Sequence, residues 1–340
     1  MKNKIDVFGL TYEKLVKNLL ENNFQKFRAQ QIFKWLYEKN TFDFNLMTDI
    51  AIPERIHLNE IFDISLNDRV EIFNSKKDSS SKFLFKFKDE SAESVLMPER
   101  DRTTVCLSSQ TGCFLKCSFC ATGKKSGRNL SSGEIIRQFV YMARESKERI
   151  TNVVFMGMGE PMLNMENVLE AVNILNCDKG IRIGARKITI STAGIIPGID
   201  ALTEFPLQVK LAVSLNSAIQ AKREILMPIA KTYDLISLKK AIRKYQDAKN
   251  KRITFEYILI PEFNDFSEDV NAIFDYVKGI DCKINIIPYN PIDSQFRAPS
   301  KKEINSFFER LSPLKDAVTI RESRGRDING ACGQLAGKHK

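Results

Sequence analysis

Apolar residues recur at intervals of three and four near the start of the chain. Tyr12, Leu15, Leu19 and Leu20 share a helical face, and FRAQQIFKWLYEK repeats the spacing. No strand signal interrupts residues 1 to about 60, so a small helical unit is predicted there. Trp35 and its apolar neighbours sit at helical spacing and are expected in its core. Lys26, Arg28, Lys34 and Lys39 lie among them, and two readings stay open: a basic face for RNA, or the ordinary solvated side of a helix. His57 is expected on a helix surface and His339 in a frayed tail.

The period then changes. The polar stretch NSKKDSSS leads into Phe83, Phe85 and Phe87 alternating with lysines, which predicts a half-buried strand; the turn KDES and a second strand near Ser91–Met97 complete a hairpin. From residue 103 strands and amphipathic segments alternate, with strands predicted at 103–108, 152–157, 186–192, 209–215, 253–260, 283–289 and 317–321. Ser131, followed three residues later by Glu134, forms a capping box at the first of the intervening helices. Such alternation implies an α/β fold: a parallel sheet with right-handed crossovers, closed or partly closed into a barrel. The expected organisation is a helical unit over residues 1–75, a connecting hairpin over 76–100 and the barrel over 101–340. In such a barrel functional residues belong at the carboxyl ends of strands. The cysteine-rich loop, MGMGEP, STAG and SLNS all fall there.

Composition narrows the classes. A chain of 340 residues, 43% apolar and 28% charged, can bury a sizeable core. Charges are spread through the apolar positions of the N-terminal segment and no run approaches membrane-spanning length, so a cytoplasmic, membrane-free setting is expected. The net charge of +10 suits a polyanionic partner, since neutralising phosphates releases counterions; a solubilising surface charge reads equally well. With only two histidines, neither histidine-based acid/base catalysis nor a multi-histidine metal site is expected. Seven unevenly placed cysteines point to metal or thiol chemistry in a reducing compartment.

Three of those cysteines, Cys113, Cys117 and Cys120, fall within eight residues. Iron–sulfur cubes normally take four thiolates, so three leave one iron with an open position. The alternative is a structural zinc site with Cys106 as fourth ligand. In MGMGEP, Gly159 admits close backbone approach and Glu160 offers a carboxylate suited to an ammonium group. Ser191 and the triplet Ser214, Leu215 and Asn216 bring hydroxyl and amide groups to later strand ends. Cys332 lies between small residues in ACGQL and reads either as a small buried hydrophobe or as an accessible thiol.

The CxxxCxxC spacing is that of the radical S-adenosylmethionine enzymes, which this segment resembles closely. Together with GMGEP, STAGIIP, FEYILI followed by ND, and ACGQL, it resembles the dual-specificity RNA adenine-C2 methyltransferases of that superfamily over essentially the whole chain. The resemblance implies a partial (β/α)6-type barrel and a 4Fe–4S cluster on Cys113, Cys117 and Cys120 whose open iron is chelated by S-adenosylmethionine. It places Gly159 and Glu160 beside the cofactor's amino group, Ser191, Ser214, Leu215 and Asn216 near its ribose and carboxylate, and Asn290 as a further contact.

In that family adenine C2, electron-poor and without an acidic proton, is methylated by a radical route that uses two S-adenosylmethionine molecules per turnover. The resemblance assigns Cys332 the transferred methyl as S-methylcysteine, Glu93 the C2 proton, and Cys106 the release of the protein–RNA adduct through a transient Cys106–Cys332 disulfide. Glu99 and Asp101 are chemically eligible for the role of Glu93. Implied partners are 23S ribosomal RNA, in some members tRNA, and an external one-electron donor such as flavodoxin or ferredoxin. Asn216 replaces a histidine common in relatives, and Gly330 replaces an alanine. Cys177 and Cys282 match no motif.

Three rivals remain. Adenine-C8 methyltransferases depart from the proline that follows the glutamate, and Pro161 here favours C2. A methylthiotransferase needs a second cluster, for which the other cysteines are too scattered. A zinc-stabilised RNA-binding protein leaves Cys332 and GMGEP without a task.

Overall fold

The computed structural model describes residues 4–87, 90–293 and 295–336; His339 lies outside them. The N-terminal unit comprises β1 (Ile5–Asp6), α1 (Tyr12–Glu21), α2 (Arg28–Tyr37), α3 (Ile52–Ile61) and β2 (Phe62–Asp63), with β1 and β2 paired in parallel. Thr11 caps α1 by accepting from the Lys14 N–H, and Leu15 and Leu19 are buried beneath it. Leu20, one residue on, turns outward and is 54% exposed, against the expected helical face. Trp35 is only half-buried: one side packs on the core, while its indole N–H donates to Asp49 at 2.6 Å and Lys39 covers its ring. His57 is on α3, half-exposed and stacked on Phe24.

Ten strands form one sheet in the order β12-β11-β10-β9-β8-β7-β6-β5-β4-β3. The antiparallel part is β3 (Arg69–Asn74), β4 (Ser81–Lys86) and β5 (Ser91–Glu99), which pairs with β6 (Arg102–Cys106). The parallel part continues through β7 (Asn152–Phe155), β8 (Ile188–Thr192), β9 (Lys210–Ser214), β10 (Ile253–Leu259), β11 (Cys282–Pro288) and β12 (Val318–Ile320). Crossovers carry α4 (Ser132–Glu145), α5 (Met165–Asn176), α6 (Ile196–Glu204), α7 (Gln220–Leu226) with α8 (Leu235–Lys249), α9 (Ser267–Val277) and α10 (Lys301–Arg310). This is the expected α/β partial barrel, six strand–helix units finished by a seventh strand. Ser131 and Glu134 make both capping-box bonds, and α4 buries Ile135, Ile136, Phe139, Val140 and Met142. Each such apolar side chain contributes about 1.5–3 kcal/mol on burial.

Two features differ from expectation. β3 lacks a strand signal because it is an edge strand with no fully buried residue, and NSKKDSSS is the turn that joins it to β4. β4 is not half-buried: Lys82, Phe83, Leu84 and Phe85 are all buried, because Lys82 pairs across to Glu93 at 2.8 Å. The helical unit docks on the barrel where Arg137 of α4 grips Asp6 with two bonds, at 2.8 and 3.0 Å. Gly133 permits that approach, since a Cβ there would lie 2.3 Å from Asp6 Oδ2.

Candidate active site

The chain leaves β6 bonded to the next strand end, with the N–H groups of Ser109 and Gln110 both donating to the Met158 carbonyl. The cysteine loop that follows is held by its backbone. Cys113 N–H donates to Lys125 O, Ser118 N–H to Leu226 O, and Cys120 N–H to Cys117 O, at 2.9, 2.9 and 3.2 Å. Gly112 closes its base, where a Cβ would lie 2.3 Å from the Lys125 carbonyl. Burial pushes the Cys113 thiol up to about 12 and Cys117 well above its ordinary value, and the cysteines' mutual charge and that of Glu160 act in the same direction. Thiols raised in this way become thiolates only where a metal or another positive charge stabilises the anion.

Glu160 ties strand ends together. Its carboxylate accepts from the N–H of Met162 at 3.0 Å and of Ala193 at 2.7 Å, while its own N–H donates to Gln110 Oε1 at 2.8 Å. Burial pushes it up to about 7 against those bonds. Gly159 has φ +96, and a Cβ there would overlap Gln110, so the backbone passes where only glycine fits. Ser191 and Ser214 are half-buried at the ends of β8 and β9. Leu215 is fully buried and its N–H donates to the Glu256 carbonyl. The Asn216 side chain is engaged within the protein, with Oδ1 accepting from Ile258 N–H and Nδ2 donating to Met227 Sδ. Asn290 Nδ2 donates to Ser323 Oγ at 2.9 Å and to the Cys332 carbonyl at 3.1 Å, leaving its buried Oδ1 without a partner.

Beyond β12 the chain runs back across this end of the barrel. Gly325 N–H donates to Asp78, and Asp327 accepts from Ser75 and from Lys76 N–H, so the segment is hooked to the β3–β4 turn. It then reaches the cysteine loop: Gly333 O accepts from Ala121 N–H at 2.7 Å and Leu335 O from Thr122 Oγ1 at 2.6 Å. Ala336 N–H donates to Glu93 at 2.8 Å. The strap thus ties Glu93 to the segment that carries Cys332, 239 positions away in sequence.

Cys106 and Cys332 are electrostatic neighbours; burial pushes Cys106 up to about 12 and also raises Cys332. The charge of Cys120 also acts on Cys332. Cys106 therefore lies within electrostatic reach of Cys332. All seven cysteines are free, so the transient Cys106–Cys332 disulfide that the resemblance implies is not present in this structure. Arg321 stands beside both, 3.6 Å from Glu256 and bonded to Met156 Sδ. Among the described residues, no three His, Cys, Asp or Glu side chains converge on the point a single ion would occupy.

The profile of the radical SAM superfamily matches residues 107–277, and that of the ribosomal RNA large subunit methyltransferase N-terminal domain matches residues 5–64. A probable dual-specificity RNA methyltransferase RlmN of Thermosipho melanesiensis is 41% identical over 98% of both chains. The dual-specificity RNA methyltransferase RlmN of Geobacter sulfurreducens is 41% identical over 99% of this chain and 94% of its own. The chain belongs to the RlmN family of radical SAM enzymes. A radical SAM methyltransferase of Sphaerobacter thermophilus, 38% identical, superposes on this RlmN-family fold with a TM-score of 0.93 over 98% of the chain and 100% of its own.

The residues fit the group the superfamily implies. An iron–sulfur cluster takes thiolate ligands, the backbone-fixed loop carries cysteines free to provide them, and the buried Asn290 Oδ1 has no partner. Sequence reasoning missed Lys82, Gln110 and Arg321. Lys82 reads as an outward strand lysine and Arg321 as the end of AVTIR, and neither carries a motif. No helix among the described residues is long and apolar enough to cross a membrane.

Proposed function

We propose that this RlmN-family enzyme methylates carbon 2 of adenine in 23S ribosomal RNA and in tRNA, by way of a methyl group carried on Cys332. Cys113, Cys117 and Cys120 hold a 4Fe–4S cluster, with Gly159, Glu160, Ser191, Ser214, Leu215, Asn216 and Asn290 around S-adenosylmethionine. Cluster and cofactor together supply an electrophilic methyl group and, after one-electron reduction by a flavodoxin- or ferredoxin-like donor, a carbon-centred radical. Of the Asn216 atoms the backbone is the better candidate for contact, because its side chain is already engaged.

The observation that carries this reading is the tie between the Cys332 segment and the cysteine loop: Gly333 O accepts from the N–H of Ala121, the residue after Cys120, and Asn290 holds the Cys332 carbonyl. A sulfur there can take a methyl group, present it at the cluster end of the barrel, and be released by a second thiol. Glu93, ion-paired with Lys82 and fixed to the strap by Ala336, is the proton acceptor in this scheme. Cys106 attacks the Cys332 sulfur to free the RNA, and the resulting disulfide is reduced between turnovers. The basic faces of the N-terminal unit and the barrel rim hold the RNA, with the target base unstacked.

The test is anaerobic reconstitution with labelled S-adenosylmethionine and either naked 23S fragments or tRNA, followed by nuclease digestion and mass analysis. Expected are 2-methyladenine and a methylated Cys332 peptide. Methyl at C8, or product formed without label ever residing on Cys332, refutes the proposal. Cys106→Ala is expected to accumulate protein cross-linked to RNA, and normal turnover by that variant would remove Cys106 from the scheme.

A further inference from the structure

Arg223, in α7, is one of the largest fully buried side chains, and it has no acidic partner. Its Nε donates to the Leu215 carbonyl at 3.2 Å, and Nη2 to the carbonyls of Ala193 at 2.7 Å and Ser214 at 3.4 Å. Nη1 is buried without a partner, and no carboxylate acts on the guanidinium among the described residues. A cation removed from water needs an opposite charge, and carbonyl dipoles replace only part of its hydration.

Besides burial, which lowers Arg223 from its ordinary value, two ionisable groups act on it: Tyr276 and Cys117. The Tyr276 hydroxyl is buried and unpartnered, and burial raises it well away from ionisation, so it brings no charge. That leaves Cys117. The Ser118 N–H bond to the Leu226 carbonyl, 2.9 Å, fastens the residue after Cys117 to the end of the helix that carries Arg223. Cys117 is one of the three cysteines assigned to the cluster. Bound to an iron–sulfur cube it is a thiolate, one of three that make the oxidised assembly net anionic, and reduction adds one further negative charge.

We propose that Arg223 is the buried counter-charge of the iron–sulfur cluster, a positioning residue that holds the ends of β8 and β9 through its carbonyl bonds and raises the cluster's reduction potential through its charge. The inference rests on the assignment of the cluster to Cys113, Cys117 and Cys120. It concerns electron loading, the step that precedes any chemistry on RNA.

The test uses the full-length holoenzyme, reconstituted anaerobically and titrated with dithionite as one-electron donor, with the reduced cluster followed by electron paramagnetic resonance. Arg223→Gln removes the charge and keeps a donor. It is expected to lower the equilibrium constant for reduction at least tenfold, a shift of about 59 mV to more negative potential. Arg223→Lys keeps the charge and loses part of the carbonyl bonding, and is expected to stay within threefold of the unsubstituted enzyme. Arg223→Gln within twofold of the unsubstituted enzyme at full iron content overturns the proposal. So does a tenfold loss in Arg223→Lys, which would assign the effect to the carbonyl bonds and which decides the matter even where Arg223→Gln does not fold. Unsubstituted enzyme that takes up no iron and sulfide refutes the cluster assignment instead.

Discussion

The cysteine loop and the C-terminal strap meet in one site but are held in opposite ways. The loop lies between β6 and α4 and is fixed by backbone bonds: Cys113 to Lys125, Ser118 to Leu226 and Cys120 to Cys117. The strap has two backbone bonds to the rest of the fold, Arg321 N–H to β11 and Ala121 N–H to Gly333 O, and is otherwise hooked by scattered side chains: Asp78, Asp327, Asn290, Thr122 and Glu93. Backbone-fixed loops hold geometry whatever any one side chain does, whereas each hook can be removed singly. The part that would hold metal is therefore rigid, and the part that would carry carbon depends on residues far from it in sequence.

The largest expected effect separates the two regions outright. Cys117→Ala should lose most cluster iron and all RNA methylation. Cys332→Ala should retain iron, sulfide and the visible absorption of the cluster, yet yield no methylated RNA. Metal analysis beside mass analysis of the RNA reads both, and loss of iron in Cys332→Ala would show that strap and loop are one unit.

Next comes the buried pair beneath the strap. Lys82 and Glu93 are 5% and 1% exposed at the side chain, and Lys82→Met leaves a carboxylate buried without that cation. Breaking such a pair costs about 3–5 kcal/mol, whereas replacing both partners by apolar residues is often neutral. Urea denaturation should show the loss in Lys82→Met and its recovery in the Lys82→Met/Glu93→Leu double variant. A single-variant loss below about 1 kcal/mol, the level of an exposed pair, would mean the pair does not fasten the strap's floor.

That pair also marks the limit of what the sequence discloses. Parallel strands such as Ile253–Leu259 and Cys282–Pro288 announce themselves as apolar runs because helices cover them, and three cysteines in eight residues name a shared task without any tertiary information. Lys82 alternates with phenylalanines like any solvent-facing residue, yet it pairs with buried Glu93, which the strap also reaches through Ala336. β3 escaped notice because neither of its faces is fully buried. Arg223 and Arg321 sit in ordinary helix and strand contexts; their meaning comes from neighbours more than 90 positions away, Cys117 and Cys106 among them.

A smaller effect tests the strap nearer its thiol. Asn290→Ala removes the bonds to Ser323 and to the Cys332 carbonyl, a loss of about 1–3 kcal/mol. Iron content should be unchanged, methylation should fall about tenfold for each 1.4 kcal/mol of lost positioning, and cleavage within residues 321–336 by a protease at limiting concentration should quicken. Unchanged cleavage with weakened S-adenosylmethionine binding would assign Asn290 to the cofactor alone.

The smallest effect is expected at the strap's outer hook. Asp327 is solvent-facing, and the Ser75 hydroxyl together with the Lys76 N–H holds its carboxyl below the ordinary 3.8. A carboxyl depressed in the folded state contributes its stabilisation above its unfolded value, and that contribution is lost as pH falls through the folded one. Asp327→Ala should therefore speed cleavage within the strap modestly at neutral pH, and in acid the variant and the unsubstituted chain should converge, read with an acid-active protease. Equal cleavage at neutral pH would mean that Gly325, through Asp78, already secures the outer end, and that the strap's freedom is set wholly by its contacts with the cysteine loop.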